Sequence, residues 1–222
     1  MQVSNFTIKH KIISILLFAL LMWMAWPAGG FAPILFIAWL PLLWLEKNVL
    51  EQKRAGVKVR LFGWTYLAFI LFNLATTWWI YFASGGGMVG AVLANSLLMA
   101  GVFGLFHWVH KRLGDFFGYA MLLVGWVAFE HLHMDWDLSW PWLTIGNSLA
   151  GMPLLAQWYE YTGVLGGSVW IIAVNVMALH VLFSVLAVSQ RPKLRQRIIT
   201  LLATLLIPIA FSISLYLRYQ ER

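Results

Sequence analysis

Phe129–Gly167 reads FEHLHMDWDLSWPWLTIGNSLAGMPLLAQWYEYTGVLGG. Apolar runs at 117–133 and 168–188 overlap or adjoin its two ends, and nearly everything else in the chain is hydrocarbon-like. The stretch itself concentrates Glu130, His131, His133, Asp135, Asp137, Asn147 and Glu160 together with Trp136, Trp140, Trp142 and Trp158. Such groups are costly beside lipid, so a chain that gathers them next to a membrane span uses that place. The rest of the sequence says what the stretch is attached to and which side it faces.

The chain has 222 residues, 62% of them hydrophobic and 10% charged. A soluble domain carries about 25% charged residues, so this composition marks an integral membrane protein. There is no cysteine, which excludes disulfides, thiolate metal sites and a cysteine nucleophile within these residues. The net charge of +7 does not point to nucleic acid, because the basic residues lie in the loops that orient membrane spans.

Apolar runs occur at about 12–26, 32–45, 61–83, 88–108, 117–133, 168–188 and 198–217. A helix needs about 20 apolar residues to cross a bilayer. The last five runs meet this length. The first two are short and are separated by Pro27, Ala28, Gly29 and Gly30, which is turn chemistry, so they form two short helices or a hairpin. Lys9 and Lys11 precede the first run, and Lys47, Lys53, Arg54, Lys58 and Arg60 follow the second. Lys111 and Arg112 follow the fourth, and Arg191, Lys193, Arg195 and Arg197 follow the sixth. Thus 13 of the 15 basic residues fall in alternate connections, and Arg218 and Arg222 lie at the C-terminus. By the positive-inside rule the N-terminus is cytoplasmic, and seven spans put the C-terminus and the 134–167 loop outside. Trp23, Trp26, Trp78, Trp79 and Trp170 fall at predicted outer ends, where amphipathic rings favour the interface. The first run has the basic start and apolar core of a signal peptide, but no clear small-x-small site follows, so it is read as retained. Without internal repeats or low-complexity linkers, residues 1–222 are expected to form one all-α membrane domain.

Several constellations bear on function. Glu130, His131, His133, Asp135 and Asp137 are metal-capable, but alternate spacing puts them on one face only in extended backbone, and on a helix they diverge. A helix end entering the headgroup layer explains them without a metal, so no metal or cofactor is expected. Trp140, Pro141 and Trp142 either hold the lipid tails of a substrate or anchor the loop in the aromatic belt. Trp78, Trp79 and Tyr81 end the third span before Ser84 and Gly85–Gly87, a turn with no lysine to make it a phosphate loop. Asn95, Ser96, His107, Asn175 and His180 are read as hydrogen-bonding between helices, with a proton relay as the less favoured alternative. The small residues Gly90, Ala91, Ala94, Ala100, Gly101 and Gly104 are read as close helix packing. No serine sits in a nucleophile elbow, so no catalytic residue is assigned.

In order and spacing, these motifs resemble the bacterial apolipoprotein N-acyltransferases. Trp26-Pro27-Ala28-Gly29-Gly30-Phe31, leading to Ala38-Trp39-Leu40-Pro41-Leu42-Leu43, is similar to the family's first helical hairpin. Trp79-Ile80-Tyr81 resembles the aromatic end of its third span. Glu130, then Trp140-Pro141-Trp142-Leu143 and Gly146, resembles its outer-loop pattern. Pro153-Leu154, Gln157, Gly163-Val164, Gly166 and Val174-Asn175 resemble the approach to its sixth span. His131 or His133 replaces an arginine common after the acidic residue, and Trp140 replaces a phenylalanine. Family members also carry a nitrilase-like domain with a glutamate, a lysine and a cysteine nucleophile, and nothing in this chain matches it.

The resemblance implies a membrane domain in the bacterial inner membrane that admits phospholipid and a diacylglyceryl-modified lipoprotein. Trp78, Trp79, Tyr81, Glu130, Trp140, Pro141, Trp142, Gly146 and Gln157 are the expected lipid- and substrate-binding residues. Thiol-based acyl transfer would then come from a nitrilase-like domain, either in a separate chain or in a continuation of this one. A lipid-binding or assembly protein without catalysis is the alternative. A small transporter is the least supported, because paired intramembrane charges and inverted repeats are missing.

Overall fold

Lipid offers no water to satisfy peptide groups, so apolar runs of this length must close their own hydrogen bonds as helices. The computed structural model describes residues 6–26, 30–137, 139–186 and 192–220, and among these there is no β-strand. Pro27, Ala28 and Gly29 of the expected turn, together with Arg191 and Arg222, lie outside the described residues. The α-helices are α1 (Ile8–Ala25), α2 (Leu35–Ala38), α3 (Leu40–Arg54), α4 (Phe62–Thr77), α5 (Gly85–Leu113), α6 (Asp115–Leu132), α7 (Pro153–Ala156), α8 (Tyr159–Leu186) and α9 (Leu194–Gln220). Short 3₁₀ turns occupy Ala32–Ile34, Trp78–Phe82, Pro141–Leu143 and Ile145–Gly151.

Six segments are long and apolar enough to cross a membrane: Ile8–Ala25, Ala32–Arg54, Phe62–Phe82, Gly85–Leu113, Tyr159–Leu186 and Leu194–Arg218. The protein is thus an all-α, multi-pass membrane bundle. α6 stands where the fifth of seven expected spans lies, but Asp115 and Glu130 near its ends dilute its apolar character, and it is not among the six. α1 is the shortest of the six, at 18 residues. The second runs on to Arg54, past the apolar run that ends at 45, and Glu46, Asn48 and Gln52 of this extension are buried with partners rather than solvated. Asn48 donates to the Trp44 carbonyl at 2.8 Å and Gln52 to the Phe6 carbonyl at 3.0 Å.

The long helices pack side by side, with α1 on α3 and α4, α5 between α4 and α6, and α8 between α6 and α9. This places the clustered lysines and arginines at one end, the basic end, and most helix-terminal tryptophans at the other, the aromatic end. Ser84 caps α5 by accepting from the Gly87 N–H at 3.1 Å. α5 reverses into α6 through Gly114 alone, whose φ of 86° suits a residue without a Cβ.

The second span is the most enclosed, with 61% of its apolar window buried, whereas the figure for α9 is 11%. It breaks at Trp39, just before Pro41, which has no N–H to continue the helix. Asn175 of α8 repairs the break. Its Oδ1 accepts from the Trp39 N–H at 2.9 Å, and its Nδ2 donates to the Leu35 carbonyl at 2.7 Å. The Trp39 ring is fully buried and meets Trp126 edge-on at 4.5 Å and 87°, and Phe18 at 5.7 Å and 80°. These are the tilted geometries that aromatic quadrupoles favour. Phe69 and Phe103 complete the cluster around it.

Candidate functional site at the aromatic end

Glu130 lies in the last turn of α6 and is 2% exposed. Its Oε1 accepts from Trp126 Nε1, one turn earlier, at 3.0 Å, and from the Ile145 backbone N–H at 2.8 Å. Oε2 is buried without a hydrogen-bond partner, and the Ser168 hydroxyl is close enough to act on the carboxylate. A carboxylate accepting a backbone N–H makes a strong, short bond, so Glu130 pins the loop to α6. The next residue pins it to α8. The Gly146 N–H donates to Ser168 Oγ at 2.9 Å, and its carbonyl accepts from the Tyr159 hydroxyl at 3.1 Å. A Cβ on Gly146 would lie 2.0 Å from the Val164 carbonyl oxygen, so only glycine allows this approach.

The segment between Glu130 and Gly146 folds back on itself. The Trp140 N–H donates to the His133 carbonyl at 3.0 Å, and Trp136 Nε1 donates to His133 Nδ1 at 3.1 Å. Pro141 opens a 3₁₀ turn, and its carbonyl accepts from Asn147 Nδ2 at 3.0 Å. Trp142 is thereby held 58% exposed, with its ring 6.3 Å from that of Trp79 at 89°. Trp78 and Tyr81 are exposed in the 3₁₀ turn that ends the third span. The structure thus joins Glu130 to Gly146 through the loop, and Trp79 to Trp142 across it. Gln157 turns toward α9 and its own turn: its N–H donates to Ser212 Oγ at 2.8 Å and its side chain to the Pro153 carbonyl.

Beside the loop, α5 borders a cavity of about 380 Å³ lined by Gly90, Ala91, Ala94, Asn95, His133 and Trp140, among others. Its lining buries the acceptor Asn95 Oδ1 and the donor Trp140 Nε1, neither with a hydrogen-bond partner. The Asn95 amide nitrogen is committed to Asn73 Oδ1 at 2.7 Å. This cavity corrects the expectation of close packing along α5, since Gly90, Ala91 and Ala94 border space, and a Cβ on Gly90 or Gly101 would meet nothing within 4 Å. Ala100, by contrast, is fully buried. Trp170 is also corrected. It is 4% exposed, and its Nε1 donates to the Thr204 carbonyl at 2.8 Å, so it ties α8 to α9 instead of anchoring at the interface.

The metal-capable set diverges. Glu130 turns inward to Ile145 and His133 toward Trp136, while His131, Asp135 and Asp137 are exposed. Ser168 and Tyr159 went unnoticed in the sequence, because a lone serine and a lone tyrosine near a span start carry no pattern. A cluster at the basic end went unnoticed too. Glu46 is fully buried, and it accepts from His107 Nδ1 at 2.7 Å and His110 Nδ1 at 3.1 Å. His110 Nε2 donates to Asp115 at 2.9 Å, Lys47 donates to Asp115 at 2.9 Å, and Lys53 donates to His107 Nε2 at 2.9 Å.

The fold and the clamp together define a helical membrane domain in which a carboxylate of α6 fastens an aromatic loop over one end. The chain belongs to the family of the apolipoprotein N-acyltransferase N-terminal domain, whose profile matches residues 18–177. The matched range runs from α1 into α8 and includes the whole Glu130–Gly146 clamp. The chain is also 32% identical over 154 residues to an apolipoprotein N-acyltransferase of Chlorobaculum tepidum. That match covers 69% of this chain and 28% of the relative's length. No solved structure matches the chain.

Proposed function

We propose that this chain works as the lipid-handling membrane domain of an apolipoprotein N-acyltransferase-like system, in the bacterial inner membrane with the aromatic end facing outward. In this reading α6 is the fifth of seven spans, the N-terminus is cytoplasmic and the C-terminus periplasmic. The observation that supports it most is the clamp itself. Glu130 and Gly146 fix the loop, and the fixed loop presents Trp142 against Trp79 with both rings half-exposed. Rings held this way suit acyl chains entering from the bilayer. The nearby cavity would take the polar linkage of a lipid, since Asn95 Oδ1 lacks a donor and Trp140 Nε1 lacks an acceptor. Phospholipid is the acyl donor and a diacylglyceryl lipoprotein the acceptor in this proposal. The acyl transfer needs an activated nucleophile, and these residues hold no cysteine to provide one. A nitrilase-like domain, in this polypeptide or another, would supply it. The second reading is a lipid-binding or assembly protein without catalysis, for which the same clamp and cavity would hold lipid.

Photocrosslinking tests the shared part of both readings. A photoreactive amino acid at Tyr81 or Trp142 should capture phospholipid far more than one at Phe116, an exposed ring at the basic end. Equal capture at all three positions would overturn the assignment of the aromatic end. Acyl transfer to a lipoprotein substrate, with and without a supplied nitrilase-like domain, then separates the two readings.

A further inference from the structure

A second, wider cavity lies at the opposite end of the molecule. It has a volume of about 980 Å³ and opens between α4 and α5. Lys53, Arg60 and His107 line one part of it, and Phe62, Trp64 and Leu67 line another. Phe62 is 47% exposed and Leu67 41%, so the apolar part opens sideways toward the bilayer. Gly63 and Gly101 leave it wide, since a Cβ on either would meet nothing within 4 Å.

The charge balance around the cavity is one-sided. Glu46, the carboxylate of this cluster, is turned inward to His107 and His110. Neither Lys53 nor Arg60 has a carboxylate partner among the described residues. Lys53 donates one hydrogen bond, to His107 Nε2, and an ammonium has three to give. The cavity therefore pairs two cations that lack a directly bonded carboxylate with a hydrocarbon wall running about 7 Å along α4 from Phe62 to Leu67. A soluble anion would satisfy the first and leave the wall bare, while a neutral lipid would do the reverse.

We propose that this cleft seats an anionic phospholipid of the leaflet at the basic end, with its phosphate against Lys53 and Arg60 and an acyl chain along Leu67 and Gly101. The site is separate from the aromatic-end loop and does not depend on the function proposed for that loop. Basic residues close to anionic lipid attract it strongly enough to select it over zwitterionic lipid.

Native mass spectrometry of the delipidated full chain tests this, with phosphatidylglycerol and phosphatidylcholine of matched acyl chains as probes. Phosphatidylglycerol should bind about tenfold or more tightly than phosphatidylcholine. The double substitution Lys53→Gln with Arg60→Gln should erase that preference. Gly101→Phe, which fills the tail space, should weaken both lipids at this site. Excess sn-glycerol 3-phosphate should not displace the bound lipid. Equal affinity for the two lipids, an undiminished preference in the double variant, or displacement by glycerol phosphate would each overturn the proposal. If Gly101→Phe does not fold, the paired charge substitutions still decide, because they remove no packed side chain from the core.

Discussion

Two buried glutamates sit at opposite ends of this bundle and do different work. Glu130, at the aromatic end, gives its bonded oxygen to an indole and to the backbone N–H of a loop. Glu46, at the basic end, divides its oxygens between two histidines of α5, one of which also reaches Asp115 at the start of α6. The first positions a loop, and the second ties α3, α5 and α6 together. A carboxylate buried near lipid is expensive, so both must be partnered. The kind of partner reveals what each one holds, a surface for presentation or the bundle itself.

This contrast is broken most directly by truncation. Glu46→Ala strands His107 and His110 and should have the largest effect, a loss of about 3 to 5 kcal/mol. It should appear as a large drop in the thermal midpoint in detergent, and an unchanged midpoint would show that the network ties nothing. Glu130→Ala leaves the Trp126 and Ile145 N–H groups without an acceptor and should cost about 3 kcal/mol. Glu130→Gln keeps an accepting oxygen and should recover most of that. Hydrogen exchange at the Ile145 amide separates the local event from the global one. Exchange should quicken at 145 and 146 in the alanine variant while the core around Trp39 stays protected.

Gly146→Ala sharpens the comparison by attacking the loop without touching a charge. Its methyl would press on the Val164 carbonyl, and overpacking of this kind costs about 1 to 3 kcal/mol. The loop should lift from α8, exposing Ser168, and loop amides should exchange faster than in the wild type. Wild-type exchange would mean that the backbone at 146 has slack that the close approach does not suggest.

The helical membrane class was legible because it depends on summed hydrophobicity, which any window reveals. Glu130, Trp142 and Gly146 were legible as motif residues, but their partners were not. Ile145 contributes a backbone N–H, which no side-chain pattern encodes, and Ser168 lies 22 residues from the glycine it accepts from. Glu46 was hidden for a related reason. Beside Lys47 at the end of an apolar run it looks like an interfacial charge, and its histidines lie 61 and 64 residues away. Asn175 was legible as an interhelical hydrogen bonder, though not as the patch for a break at Trp39. The α5 glycines misled, because small residues permit close packing and open space equally, and only a neighbouring helix decides between them.

The smallest effect on stability should come from Trp142→Ala, and it is the sharpest test of what the loop is for. The ring is 58% exposed and touches Trp79 edge-on, so its removal should change stability by only about 0.5 kcal/mol or less. The Glu130 and Gly146 anchors lie on either side of it and are untouched. If the loop exists to present this ring to lipid, phospholipid capture at Tyr81 should fall several-fold while the thermal midpoint holds. If instead the midpoint falls and capture persists, Trp142 is a brace for the turn beneath Trp79. The aromatic loop would then do what the Glu46 network does, holding the bundle together, and would offer no surface for lipid.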